Sequence, residues 1–112
     1  MLIKQSEAKK IENTEACIVH EYHFPSELMS VATAKIKGRY PEKGKCTNKE
    51  CEETYFVMEG KGMIHSEKGD FEIEKGDVYH FEKGEKYWVE GDLYLALTNA
   101  PPFDPGQHEL LD

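Results

Sequence analysis

Apolar and polar residues alternate along most of the chain after residue 22, in the short segments that are typical of β-strands. The clearest case is the segment 93–98, where leucine occupies every second position. Glycine turns separate these segments, and the triplet Glu-Lys-Gly recurs at 42–44, 67–69, 74–76 and 82–84. The pattern predicts an all-β barrel or sandwich with strands at 28–37, 54–58, 63–66, 71–74, 78–81, 87–90 and 93–98. The only helix candidate is the short polar segment 6–16.

The segment 54–58 is apolar on both faces. Tyr55 and Val57 share one face, and Phe56 and Met58 share the other. A strand of an open antiparallel sheet usually shows one face to water, so both faces of this strand are expected to be covered. One face is predicted to line the barrel interior. The other meets a second copy of the chain, which favours a homodimer, or a second layer of the same chain.

Composition narrows the classes of partner. The 112 residues suffice for one domain, and 38% hydrophobic residues suffice for its core. The formal net charge of -8 argues against a nucleic-acid partner and against an anionic membrane surface. Without a long apolar run or a secretory signal, the expected location is the cytoplasm. The three cysteines are therefore expected to be reduced thiols.

Two spaced motifs resemble those of the cupin family. The segment 53–60 (ETYFVMEG) is similar to the end of the first cupin motif, in which a glutamate precedes a glycine by seven positions. The segment 76–87 is similar to the second motif, with Tyr87 at the position of its histidine. The ending at 101–108 resembles the tail of small single-domain cupins. The resemblance implies a small double-sheet β-barrel, or jelly roll, and commonly a homodimer.

The resemblance covers roughly residues 28–110. It implies that residues 21–112 form the cupin domain and that residues 1–20 form a short N-terminal arm.

The cupin metal ligands are mostly replaced. Metal-binding cupins hold their ion with two histidines of an H-x-H, the motif glutamate and the histidine of the second motif. The favoured register places Cys46, Asn48, Glu53 and Tyr87 at these positions, and the other register places Thr47 and Lys49 at the first two. Only the glutamate is retained, so no cofactor is expected. The alternative is that the four residues of the favoured register hold a divalent metal ion. Such donors would suit zinc, or iron in its ferric state.

The resemblance places Glu53 and Tyr87 inside the barrel mouth, where a carboxylate and a phenol could act as base and acid. The main prediction is a small-molecule-binding cupin with a degenerate metal site. The first alternative is a metal-independent isomerase or epimerase of the sugar-nucleotide type, with Glu53 and Tyr87 as catalytic residues. A further alternative is a metal-binding cupin enzyme. The other interpretation is a purely structural hydrogen bond between the two residues, which would satisfy two buried polar groups.

Aromatic and polar residues near the expected mouth suit a planar or sugar-like ligand, although tyrosine also serves in cores and interfaces. The residues predicted to bind the ligand are Tyr40, Asn48, Tyr55 and His80. If Tyr87 faces inward, Trp88 must face outward. Arg39, the only arginine, is interpreted as a surface residue or as a group for a ligand carboxylate or phosphate. The tail position of His108 would let it fold over the mouth.

Overall fold

The computed structural model describes all 112 residues. It contains nine strands, no α-helix, and two short 3-10 turns at Gln5–Glu7 and Pro105–Gln107. No helix of the structure has the length and hydrophobicity needed to cross a membrane. The strands are β1 (Lys9–Thr14), β2 (Cys17–Tyr22), β3 (Ser30–Tyr40), β4 (Lys45–Asn48), β5 (Glu52–Ser66), β6 (Gly69–Glu74), β7 (Val78–Phe81), β8 (Tyr87–Ala100) and β9 (His108–Leu111). The all-β prediction is confirmed.

Every strand pairing is antiparallel. Strands β1, β2, β3 and β8 follow one another in the sheet, and β5 pairs with the other side of β8. Strands β6 and β7 both pair with β5, while the short β4 pairs with β8 and with β9 at the C-terminus. The long strands β5 and β8 connect these groups, so the sheet curls around one interior.

Two pairs of predicted strands are continuous in the structure. Strand β5 joins the segments predicted at 54–58 and 63–66, and β8 joins those predicted at 87–90 and 93–98. The intervening glycines pass close to a neighbouring strand instead of turning. Gly91 lies opposite Gly62 with φ +140°, and a Cβ on Gly91 would lie 2.5 Å from the Gly62 Cα. Glycine is needed there for close approach, which a single sequence does not distinguish from a turn.

The N-terminal helix prediction is wrong. Strand β1 forms a hairpin with β2, which pairs along β3, so the first strands extend the sheet. Ile11 lies opposite Val19 in this hairpin, and tertiary pairing outweighs the polar composition that favoured a helix. The expected division between residues 20 and 21 falls inside β2.

The core consists of inward-facing side chains from the curled sheet. Tyr55 and Val57 of β5 are buried, as the alternation predicted, whereas Phe56 on the opposite face is 44% exposed in the single chain. All three cysteines are buried and none pairs with another, as expected of reduced thiols. The buried apolar cluster comprises Cys17, Ala34, Ile36, Tyr40, Cys46, Tyr55, Val57, Ile64, Ile73, Phe81, Tyr87, Val89, Leu93, Leu95 and Leu97.

Candidate functional site

A cavity of about 480 Å³ opens into the barrel beside the N-terminal hairpin. Its walls are mostly apolar and come from β1, β2, β3 and β8, together with the segments on either side of Met29 and Phe103. Its polar residues converge from five strands, β3, β4, β5, β8 and β9. They include Tyr40, Asn48, Glu53, Tyr55, Tyr87, Asn99 and His108. An apolar cavity with a few convergent polar groups is the usual form of a small-molecule site.

Glu53 lies on the inward face of β5 and is buried. Its Oε1 accepts a hydrogen bond of 3.1 Å from Asn48 Nδ2, and the Tyr87 hydroxyl lies 3.5 Å away. Burial raises the pKa of Glu53 to about 7, while hydrogen bonds from Asn99, Asn48 and Tyr87 oppose that rise. The carboxyl group is therefore able to gain or lose a proton near neutral pH.

Asn48 connects Glu53 to the C-terminal segment. Its Oδ1 accepts hydrogen bonds from Gln107 Nε2 at 3.0 Å and from His108 Nδ1 at 2.9 Å. Because that oxygen only accepts, the network assigns the proton of a neutral His108 to Nδ1. Its Nε2 then accepts from the Tyr40 hydroxyl at 2.9 Å. Burial lowers the pKa of His108, which favours this neutral form.

Two tyrosines close the same end of the cavity. The hydroxyl oxygens of Tyr55 and Tyr87 are 3.3 Å apart, and their rings meet edge to face. Burial is the main reason why the pKa of each phenol lies well above its usual value. Both groups therefore remain protonated at neutral pH and serve as hydrogen-bond donors.

The structure brings together five of the residues predicted for the site and places one elsewhere. Tyr40, Asn48, Glu53, Tyr55 and Tyr87 all line the cavity. The assignment of His80 to the ligand site is corrected. On β7 its side chain points to the outer face, where it is 51% exposed and its Nε2 lies 2.8 Å from Glu52 Oε1. Tyr79 and Phe81 take the inward positions, so alternation puts His80 outside.

Trp88 faces outward, as its neighbour Tyr87 required. Its ring stacks on His65 at 3.8 Å between centroids, and the Arg39 guanidinium lies 3.9 Å from the ring centroid on the same surface. Arg39 also donates hydrogen bonds to the carbonyls of Pro41 and Gly44. The only arginine is therefore committed to the outer surface and is not part of the cavity lining.

Sequence reasoning missed Asn99 and Gln107 and left His108 without a partner. A signal for Asn99 exists, because it continues the alternation of Leu93, Leu95 and Leu97 on the inward face and is 3% exposed. A polar residue at an inward position of an apolar strand indicates a site or a buried network. The tail position indicated that His108 could reach the mouth, but no signal exists for its contacts with Asn48 and Tyr40, which depend on the pairing of β9 with β4.

The four positions that correspond to the cupin metal ligands do not fit a divalent metal. Cys46 is completely buried outside the cavity lining, and burial raises the pKa of its thiol to about 12. Tyr87 resists ionisation for the same reason. Asn48 turns its amide nitrogen, not its oxygen, toward Glu53. No group of three histidine, cysteine or acidic side chains has the geometry to hold an ion.

Several solved structures share this architecture at low sequence identity. The nucleoside dehydratase Pac13 matches with a TM-score of 0.89 and 15% identity, over 99% of this chain and 90% of that protein. A tyrosine-to-phenylalanine variant of this Streptomyces protein, solved with uridine, matches with a TM-score of 0.89 and 14% identity over 99% and 89%. Ectoine synthase from P. lautus matches with a TM-score of 0.79 and 18% identity, over 100% of this chain and 91% of that protein.

No protein-family model and no curated protein sequence matches the chain. At these identities the structural likeness establishes the fold and leaves the activity to the site itself. The neighbours are cupin-fold proteins. The chain therefore has the cupin β-barrel fold that its two motifs predicted.

Proposed function

We propose that this protein binds a small, ring-containing polar molecule of the nucleoside type in the barrel cavity. The observation that carries the proposal is the cavity itself, which has apolar walls and one polar end formed by Asn48, Glu53 and His108. Such an arrangement buries a ring against the walls and satisfies hydroxyl or amide groups at the end. The likeness to Pac13, a nucleoside dehydratase with variants that were solved with uridine, supports the choice of ligand class.

Binding of uridine is the first test. We expect calorimetry to detect binding to the natural protein and Glu53→Gln to weaken it by about tenfold or more, the cost of a hydrogen bond to a charged group. Glu52→Gln is the matched control, because Glu52 is the exposed neighbour on the same strand and pairs with His80. Equal weakening by both substitutions, or no binding of any nucleoside, would contradict the proposal.

Metal-independent acid–base catalysis is a second candidate function, and the raised pKa of the Glu53 carboxyl group favours it. A carboxyl group with a pKa of about 7 both donates and accepts protons at neutral pH. The protonated Tyr87 hydroxyl at 3.5 Å supplies a hydrogen-bond donor beside it. This pair suits a proton transfer at carbon, as in an isomerisation, epimerisation or elimination.

Deuterium exchange tests this second candidate without a known product. A bound nucleoside such as uridine is incubated with the protein in heavy water and followed by NMR. We expect deuterium to enter one carbon position, and both Glu53→Gln and Tyr87→Phe to slow the entry by about 100-fold or more. Exchange that persists at the natural rate in both variants would exclude the pair as catalytic residues.

We propose that neither function uses a bound metal. The buried Cys46 thiol and the orientation of the Asn48 amide support this proposal. Elemental analysis of untagged protein, purified with and without added iron, zinc, manganese or nickel, tests it. A near-stoichiometric metal content would contradict it and would favour a metal-dependent cupin enzyme.

We also propose that two copies of the chain associate through the outer face of β5 and β7. Phe56 and Val78 lie opposite each other there and are 44% and 58% exposed. Burial of such residues against a second copy would give each strand two covered faces.

The cytoplasm is the proposed compartment, and the three unpaired cysteines support it.

A further inference from the structure

We propose that the cavity selects uncharged ligands and excludes phosphorylated ones, so that an unphosphorylated nucleoside is preferred over a nucleotide or a sugar nucleotide. This inference rests on the proposed function and specifies its substrate class. It comes from the charges and hydrogen-bonding groups that line the cavity.

The basic side chains with room to meet a ligand lie at the mouth of the cavity, next to a carboxylate. Lys9 and His23 are the basic residues at the mouth. Glu21 lies opposite Lys9 in the β1–β2 pairing, and its Oε1 is 3.3 Å from His23 Nε2. The carboxylate of Glu21 thus lies beside both basic residues and weakens the attraction that they would exert on an anionic ligand.

The deeper part of the cavity has no cation. His108 is the only basic side chain there, and both of its ring nitrogens are bonded, Nδ1 to Asn48 and Nε2 to Tyr40. A neutral imidazole satisfies both bonds, so the hydrogen-bond network needs no positive charge at His108. Arg39, which could have bound a phosphate with two parallel hydrogen bonds, is held over Trp88 on the outer surface.

The polar end of the cavity is rich in acceptors. The Asn48 amide donates to Glu53, and the Tyr40 hydroxyl donates to His108. The Tyr87 hydroxyl donates toward Glu53 Oε1 at 3.5 Å, and the Tyr55 hydroxyl can donate to that of Tyr87 at 3.3 Å. These donors are therefore already occupied, while the carboxylate of Glu53 and the lone pairs of Tyr40 are left to accept. Ligand hydroxyl and N–H groups satisfy such acceptors, but phosphate oxygens would meet further acceptors and a negative charge.

Matched ligand pairs provide the first arm of the test. Uridine and uridine monophosphate are compared by calorimetry at about pH 8, where an ordinary histidine is neutral. We expect the monophosphate to bind at least tenfold more weakly, roughly the effect of bringing a phosphate near one uncompensated carboxylate. Glu21→Gln is expected to narrow this ratio by about threefold. Glu12→Gln, which removes the same charge from the opposite face of the hairpin, is the control.

The second arm of the test measures the charge at the mouth with soluble nitroxides, which do not have to bind specifically. A neutral and an anionic nitroxide with the same ring are added separately, and the relaxation of backbone amide protons is measured by NMR. For each amide, the relaxation caused by the anionic nitroxide is divided by the relaxation caused by the neutral one. We expect this ratio to be lower at Glu21 and Val31 than at Gly69 in the β5–β6 turn. Glu21→Gln should reduce that difference, and Glu12→Gln should not.

The two arms separate the possible failures. Equal or tighter binding of the monophosphate would overturn the charge selection, as would equal action of both nitroxides at the mouth. If uridine does not bind but the nitroxide difference is present and depends on Glu21, the proposed function fails and the exclusion of anions stands.

Discussion

Replacing Glu53 by glutamine should make the protein more stable at neutral and basic pH. Burial raises the pKa of this carboxyl from the ordinary 4.5 to about 7, so the folded protein holds the proton more tightly than the unfolded chain. Between these two pH values the unfolded chain is ionised while the folded protein remains protonated. Stability is therefore greatest below the lower value and falls as pH rises through the window.

The size of this effect follows from the two pKa values. A rise from 4.5 to about 7 corresponds to roughly 3 kcal/mol, at about 1.4 kcal/mol for each pKa unit. Glutamine keeps the size of the side chain and an oxygen that accepts the hydrogen bond from Asn48. The difference in the free energy of unfolding between Glu53→Gln and the natural protein should therefore rise by roughly 3 kcal/mol between about pH 4.5 and pH 8.

Urea denaturation across this pH range measures the difference directly, since urea is uncharged and does not screen charges. Glu52→Gln removes a carboxylate from the exposed neighbouring position and should show no comparable trend, because an exposed carboxylate is already solvated. Parallel stability curves for Glu53→Gln and the natural protein would refute the reasoning. They would mean that water or the surrounding amides stabilise the carboxylate as well as bulk solvent does.

Three other substitutions test the fold and the proposed interface. Gly91→Ala should lower the free energy of unfolding by more than about 2 kcal/mol in urea denaturation, because φ is +140° there and the new Cβ would meet Gly62. An unchanged free energy of unfolding would contradict the close approach of the two strands. Leu95→Ala should cost about 2–5 kcal/mol because the side chain is fully buried, and a cost below about 1 kcal/mol would place it outside the core. Light scattering should show a dimer for the natural protein and a monomer for Phe56→Glu, and an unchanged dimer would exclude this face.

Alternation along strands predicted most of what faces the interior. The segment around Tyr55 places Glu53 on the inward side, and the same rule separates Tyr87 from Trp88. The rule also places His80 outside, once Tyr79 and Phe81 are taken as inward. Between bulges, strand parity depends on local geometry, so a sequence carries it directly; the register shift between Val57 and Glu59 in β5 changes the parity, and the local pattern does not contain it.

The lengths of strands and the N-terminal hairpin were less predictable. Gly91 permits close packing of two strands, but a glycine in a sequence equally indicates a turn. Strand β1 has weak local preference and is held by pairing with β2, which itself pairs with β3. Such elements are determined by contacts between distant segments, which local patterns do not contain.

Asn48 is where the fold and the candidate site depend on each other. Strand β9 pairs with β4 so that His108 lies opposite Asn48, and this one pairing brings residues 60 positions apart into a hydrogen bond. The Oδ1 of Asn48 accepts from Gln107 and His108, and its Nδ2 donates to Glu53. These fixed partners set the tautomer of His108 and the position of the Glu53 carboxyl group. A buried carboxylate with a raised pKa costs stability at neutral pH, and an apolar replacement would remove that cost. Its placement at the polar end of an open cavity is therefore better explained by the binding or proton transfer proposed for it than by a role in holding the barrel together.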